Sequence, residues 1–174
     1  MKDQKNSAAA IAKKYGLMLG AFNIVVGLML FYLDMHYQNN STVGFINLAI
    51  IIVLIMLGIK EFKKFNGGFI KLSEALKTGL GIALISGILS TIYTLIMMNY
   101  IDPDFLEKSL AFQKQTMLME NPEMSVSSVD KMIDMQREFS SPLTTSAFIL
   151  ILNLFLGFIV SLVGGLIIRK SQPE

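Results

Sequence analysis

Asp34-Met35-His36 is the one place in this sequence where an acid and a base stand close enough to be considered together. Such a pair can move a proton when the carboxylate orients the imidazole. Two residues apart, however, the side chains lie on different sides of a helix, and only a loop could converge them. His36 is the single histidine and there is no cysteine. That excludes a histidine-rich metal site, an iron–sulfur cluster, a disulfide framework and a thiol nucleophile. His-Glu-x-x-His, Gly-x-Ser-x-Gly and a Gly-Lys-Ser/Thr phosphate loop are all absent. Asp34 and His36 are therefore read as interfacial polar residues. No catalytic, cofactor-binding or metal residue and no cofactor is assigned, the chain is not read as an enzyme, and His36→Ala is expected to change nothing measurable.

Three further groups have types that could do chemistry. Met117, Met119, Met124, Met132 and Met135 are clustered thioethers. Thioethers bind Cu(I), but this spacing is not a repeated Met-x-x-Met array and favours packing. Asp130, Asp134 and Glu138 lie four apart and share a helix face, where a solvated surface is the simpler reading than a cation site. Asn66-Gly67-Gly68 lies among Lys60, Lys63, Lys64, Lys71 and Lys77. A phosphate loop needs a strand before it and Lys-Ser or Lys-Thr directly after its glycines. Neither is present, so Gly67-Gly68 is read as a positive-φ turn that stops a helix and reverses the chain. Phe69, Ile70, Leu72, Ala75 and Leu76 then form an apolar face, with Lys71, Glu74 and Lys77 towards water and Ser73 as a helix cap.

The elements that must position these residues are membrane helices. The chain is 174 residues long, 53% hydrophobic and only 16% charged, with a net charge of +2 that gives no reason to expect nucleic acid. A span needs about 20 mainly apolar residues. Four uncharged segments qualify: Tyr15 to Leu33, Val43 to Ile59, Thr78 to Met98 and Leu143 to Ile168. The first is longer than the apolar region of a signal peptide and lacks a small-x-small cleavage site, so it reads as a retained span. Lys2, Lys5, Lys13, Lys14, the lysines between spans two and three, Arg169 and Lys170 all fall on one side. The other side carries a first loop without Lys or Arg and an acidic insert, residues 99–142. Both termini are therefore expected to be cytoplasmic.

No Asp, Glu, Lys, Arg or His lies inside a span, which weighs against a proton relay, an ion-coupled carrier or an intramembrane protease. Gly79, Ala83, Gly87 and Thr91 line one face of span three, and Gly157, Ser161 and Gly165 one face of span four. Small residues let backbones approach, so these spans are expected to form a tight pair. Gly16, Gly20 and Gly27 mark span one. Asn23, Asn47 and Asn153 must find partners in the bundle, either in interhelical hydrogen bonds between them or as a polar site. Tyr93 and Asn99 lie nearer the outer surface. Tyr32, Tyr37 and Tyr100 suit an aromatic belt.

The insert reads as a helical hairpin. Asp102-Pro103-Asp104 suits a helix start with Asp102 as cap. Phe105, Leu106, Leu110, Met117 and Leu118 give an apolar stripe, and Asn121-Pro122 ends it. Ser127 or Ser128 caps a second helix, with Val129, Met132, Ile133 and Phe139 on one face. Ser140-Ser141-Pro142 leads into span four.

Asn66-Gly67-Gly68-Phe69, Ser73-Glu74-Ala75-Leu76-Lys77-Thr78-Gly79 and Tyr100-Ile101-Asp102-Pro103-Asp104-Phe105 occur in this order between the spans. In this the chain resembles the domain-of-unknown-function 4199 family, small integral membrane proteins found chiefly in Bacteroidetes. The resemblance covers nearly the whole chain and implies four spans, an outward helical insert and an inner-membrane location, with no activity to carry over. The expectation is one integral membrane domain over residues 1–174, all-α, with four transmembrane helices and an extracytoplasmic hairpin between the third and fourth. Its expected role is structural or accessory, through helix–helix and insert-mediated contacts with a membrane-protein partner or with itself. An oligomeric transport or permeation protein is the alternative. The lipid bilayer is the expected surrounding, with anionic headgroups possible at the lysine-rich cytoplasmic face.

Overall fold

The computed structural model describes residues 2–38 and 40–170, with side chains from Ala8 onward. Lys2 and Lys5 of the basic tail therefore lie outside the described side chains. Six α-helices follow one another: α1 (Lys2–Tyr32), α2 (Ser41–Phe65), α3 (Leu72–Ile96), α4 (Phe105–Glu120), α5 (Val126–Phe139) and α6 (Pro142–Ile168). A π-helical turn, Met97–Ile101, continues α3. No sheet forms among the described residues; Ile70 and Lys170 make one isolated antiparallel bridge. α1, α2, α3 with its π turn, and α6 are long and apolar enough to cross a bilayer, and α4–α5 is inserted between the third and fourth of them. The protein is thus a multi-pass, all-α membrane protein with the expected four spans and hairpin.

Helix α3 is central. Its small-residue face packs on α6, the most extensive helix contact, and its opposite face packs on α1. A Cβ at Gly157 would overlap that of Ala83, one at Gly79 would overlap Ser161, and one at Gly165 would crowd Ala75 and Leu72. On the other side Gly16 receives Ile85, Gly20 receives Leu89 and Gly27 receives Tyr93. Close approach brings many dispersion contacts together where lipid tails give no hydrophobic drive. The expected α3–α6 pair is present, and the glycines of α1 form a second such seam. α2 packs against α1, α3 and α6, and Ile55, Ile59 and Phe62 are buried in its half nearer the termini, with Ile51 buried near its middle.

Local chemistry sets the helix ends. Asn40 caps α2 by accepting from Thr42 N and Val43 N at 3.0 and 3.3 Å. Ser141 caps α6, whose first position is Pro142. Gly67 and Gly68 have φ of 67° and 88°, and Gly68 N donates to Lys63 O at 2.9 Å, which closes α2 as expected. Three expected caps differ. Lys71 takes the cap position before α3, its N–H donating to the Glu74 carboxylate at 2.8 Å, while Ser73 is already helical. α5 is capped by Ser125, which accepts from Ser128 N, because a cap reaches forward to the third residue. α4 starts after Asp104, and Asp102 caps nothing with its side chain.

In the hairpin, Leu110, Val129 and Ile133 are buried, with Leu106, Met117, Leu118 and Met124 against them. Met132 and Phe139 do not share that face; both are exposed. Residues 129 and 133 are four apart, whereas 132 and 139 lie on a neighbouring strip of α5. The apolar stretch Phe69 to Leu76 is only partly superficial: Ile70 and Ala75 are fully buried in the bundle core. Tyr32 and Tyr100 are exposed, as a belt requires, but Tyr37 is half-buried against the hairpin.

Candidate functional site

Two polar assemblies stand out, one beside the hairpin and one within the spans. The first is built on the π turn. Asp102 N donates to Met97 O at 2.8 Å, which closes the turn and leaves the Asp102 side chain facing the bundle end rather than its own helix. The loop after α1 comes to meet it. Asp34 takes a φ of 54°, a left-handed geometry that short polar side chains tolerate, and this turns His36 inward. His36 Nε2 lies 2.7 Å from Asp102 Oδ2. Lys108, one turn into α4, donates to both carboxylate oxygens at 2.9 and 3.0 Å.

The sequence pairs His36 with Asp34; the structure pairs it with Asp102 and buries its side chain. The side chains of His36 and Asp102 are 6% and 7% exposed, so this is a buried, charge-assisted cluster. Burial pushes the Asp102 carboxyl up, but the bonds from Lys108 and His36 outweigh it and hold the group below its ordinary value. The carboxylate in turn raises the Lys108 ammonium. Phe105 stacks on the imidazole at 5.6 Å, with Phe31 and Tyr37 edge-on at 5.0 and 5.4 Å. His36 Nδ1 is buried without a partner. An oriented imidazole is half of an acid–base catalyst, but this one is walled by rings, and its other nitrogen reaches no nucleophile among the described residues. The arrangement is a clasp that fastens the first loop to the hairpin. Asp34 lies outside it and, with Tyr37, Lys108, Phe112 and Gln115, lines a hollow of about 390 Å³.

The second assembly gathers Asn23, Asn47 and Asn153 from three different spans. They line one cleft of about 370 Å³ together with Ser90, Tyr93 and Thr94 of α3. No hydrogen bond joins one asparagine to another. Asn23 Nδ2 reaches Ser90 Oγ at 3.4 Å, and Asn153 Nδ2 turns back to Ile149 O of its own helix at 2.9 Å. The side-chain oxygens of Asn23 and Asn47 are buried without partners. The three asparagines thus border one cleft without bonding to one another, and Asn23 reaches across to α3. The cleft exists because α2 stands away from the bundle at its Ser41 end, where a Cβ at Gly44 would meet nothing within 4 Å. At its Phe65 end α2 closes on the bundle, and Gly58 faces Ile82 and Tyr15.

A family model described as "Protein of unknown function (DUF4199)" matches residues 14–170. The chain belongs to that family. No curated protein and no solved structure matches it. The DUF4199 match runs from the last residues before the apolar core of α1 to the Ile70–Lys170 bridge, so both polar assemblies lie inside it.

The other residues singled out in this DUF4199 chain have ordinary partners. Asp130 pairs with Lys114, and Asp134 with Arg137, which also binds Glu107 at 2.7 Å. The Lys114–Asp130 and Glu107–Arg137 pairs tie α4 to α5, while Asp134–Arg137 lies within α5. Among the described residues, no group of three or more His, Asp or Glu is placed to hold a metal ion. Met117 and Met124 pack in the hairpin, whereas Met119, Met132 and Met135 are exposed. At the end bearing the termini, Lys63 Nζ caps α6 by donating to Ile168 O at 2.7 Å. Glu61, an acid the span boundaries leave aside, takes bonds from Lys14 and Tyr15 at 2.7 Å each and so fixes α1 against α2.

Proposed function

We propose that this protein is a non-catalytic accessory protein of the bacterial inner membrane, which uses its outward hairpin to hold a membrane-protein partner or a second copy of itself. The observation that carries this reading is a row on α5. Met132, Met135 and Phe139 are 47%, 62% and 69% exposed, although the hairpin already has a filled core. Their spacing puts them on one side of the helix. Large apolar side chains grouped on a folded surface mark an interaction site, and methionine adapts to varied partners. The clasp favours the same reading, because it holds the hairpin on the bundle end as a fixed platform.

Orientation follows from the lysines. Lys60, Lys64, Lys71 and Lys77 are exposed at the end bearing the termini, which suits the cytoplasmic side and an anionic lipid surface. Crosslinking in native membranes and purification in mild detergent tests the accessory role. A stable partner or homo-oligomer is expected, lost when Met132, Met135 and Phe139 are all replaced by Ser. A chain that is recovered alone and monomeric overturns the proposal.

The cleft supports a second reading, permeation by an oligomer. Leu19, Ile55, Ile59 and Ile82 are fully buried beyond its floor, so a path would have to run between copies. Reconstituted liposomes that pass no solute from a broad panel remove this reading.

A further inference from the structure

We propose that the cleft between the four spans binds a neutral lipid by its hydroxyl-bearing end. This goes beyond the accessory role and rests on different residues. The side-chain oxygens of Asn23 and Asn47 are buried acceptors without donors. A buried acceptor left unpaired is costly, and the single hydrogen of a ligand hydroxyl satisfies one of the two when that amide turns towards the cleft it lines. Ser90 and Thr94 add hydroxyls on the facing helix. The polar groups therefore converge from three helices on one space, which is how binding sites fix the orientation of a ligand.

The charge of the ligand follows from what is missing. No charged side chain lines the cleft among the described residues. A phosphate or carboxylate held there would have no counter-charge in a medium of low dielectric, which penalises it heavily. The route of entry follows from the walls. Gly44 is exposed on one wall, and on the other Leu152 is 43% exposed as well as lining the cleft. Both lie in helices that cross the bilayer, so the opening faces lipid. A volume of about 370 Å³ accommodates a glycerol end and the first carbons of a chain, with the remainder lying along α2 and α6 in the bilayer. A diacylglycerol has this chemistry: one free hydroxyl, two ester groups and no charge.

The test uses the full chain in phosphatidylcholine nanodiscs and two photoactivatable probes with identical acyl chains, a diacylglycerol and a phosphatidic acid. Diacylglycerol is expected to label peptides of α2 and α6, to be displaced by unlabelled diacylglycerol, and to exceed phosphatidic acid. The Asn23→Leu, Asn47→Leu double variant should lose about fivefold in labelling, the effect of the one hydrogen bond that the hydroxyl can donate to whichever amide holds it. Gly44→Trp fills the opening from a position with free space and should reduce labelling too, which keeps the test decisive if the double variant does not fold. Equal labelling by both probes overturns the proposal, as does undiminished labelling of the folded double variant or of Gly44→Trp. Absence of any displaceable label also overturns it and leaves a cleft filled by water or acyl chains.

Discussion

His36 Nε2 and Asp102 Oδ2 stand 2.7 Å apart across 66 residues of sequence, joining the loop after the first span to the start of the hairpin. Removing the carboxylate strands a buried imidazole and frees Lys108. Asp102→Ala should therefore lower stability by about 2 kcal/mol, the loss of hydrogen bonds to a charged group, since the half-exposed Lys108 returns to solvent. His36→Ala should cost less, about 1–2 kcal/mol, because Lys108 still holds the carboxylate. Unfolding of the purified protein in detergent measures both. If neither variant shifts the transition, the clasp contributes nothing. The expectation from sequence that His36→Ala is silent is thereby replaced by a stability effect.

The same cluster has a defined pH response. The Asp102 carboxyl titrates below its ordinary value of 3.8 when folded, since Lys108 and His36 outweigh burial. The unfolded chain therefore binds that proton first as pH falls. The stabilisation is complete above the ordinary value and is lost as pH drops through the lower, folded one. Lys108 is raised above 10.5, so its share is complete below that value and fades as pH rises through the folded one. Stability measured against pH should show an acid limb that Asp102→Asn flattens. An identical acid limb in the variant would show that other carboxylates carry it.

Glycines in equivalent-looking positions should respond differently to alanine. At Gly79 and Gly157 a Cβ would overlap Ser161 and Ala83 across the α3–α6 seam. Overpacking there should cost about 1–3 kcal/mol for each substitution. At Gly44 nothing lies within 4 Å, and Gly44→Ala should be neutral or stabilising by up to about 1 kcal/mol through helix propensity. Equal effects at all three sites would mean that the seam is not tightly packed.

Topology can be read with single cysteines, since the chain has none of its own. Glu123→Cys in the hairpin turn should react with a membrane-impermeant thiol reagent in intact cells. Lys64→Cys at the end of α2 should react only after the membrane is opened. The reverse pattern would invert the orientation proposed from the lysines.

The spans were legible because charge is missing from them in four blocks, and span membership depends on composition alone. The α3–α6 seam was legible for a related reason: a four-residue series of small side chains has one consequence on a helix. Asp102 was misread because Asp-Pro-Asp is a local helix-start pattern, and its real partners, His36 and Lys108, are fixed by tertiary contacts. Asn23, Asn47 and Asn153 were visible as polar groups in apolar helices. Whether they bond to one another or border an open space depends on how far α2 tilts from the bundle, which no local pattern encodes. Glu61 was overlooked because it sits just past an apolar run, where the count of basic residues drew attention to its neighbours.

The π-helical turn Met97–Ile101 holds one residue more than an α-helical turn would. One residue is about 100° of rotation about the axis. The direction in which Asp102 leaves α3, and with it the azimuth of the hairpin, is thus a matter of phase. Deleting a single residue from the turn would carry the carboxylate round the helix and away from His36, with every partner side chain still present. Exchanging one residue of the turn for another of similar size would leave the angle unchanged. Between the third span and the hairpin, the number of residues is therefore a stricter constraint than their identity.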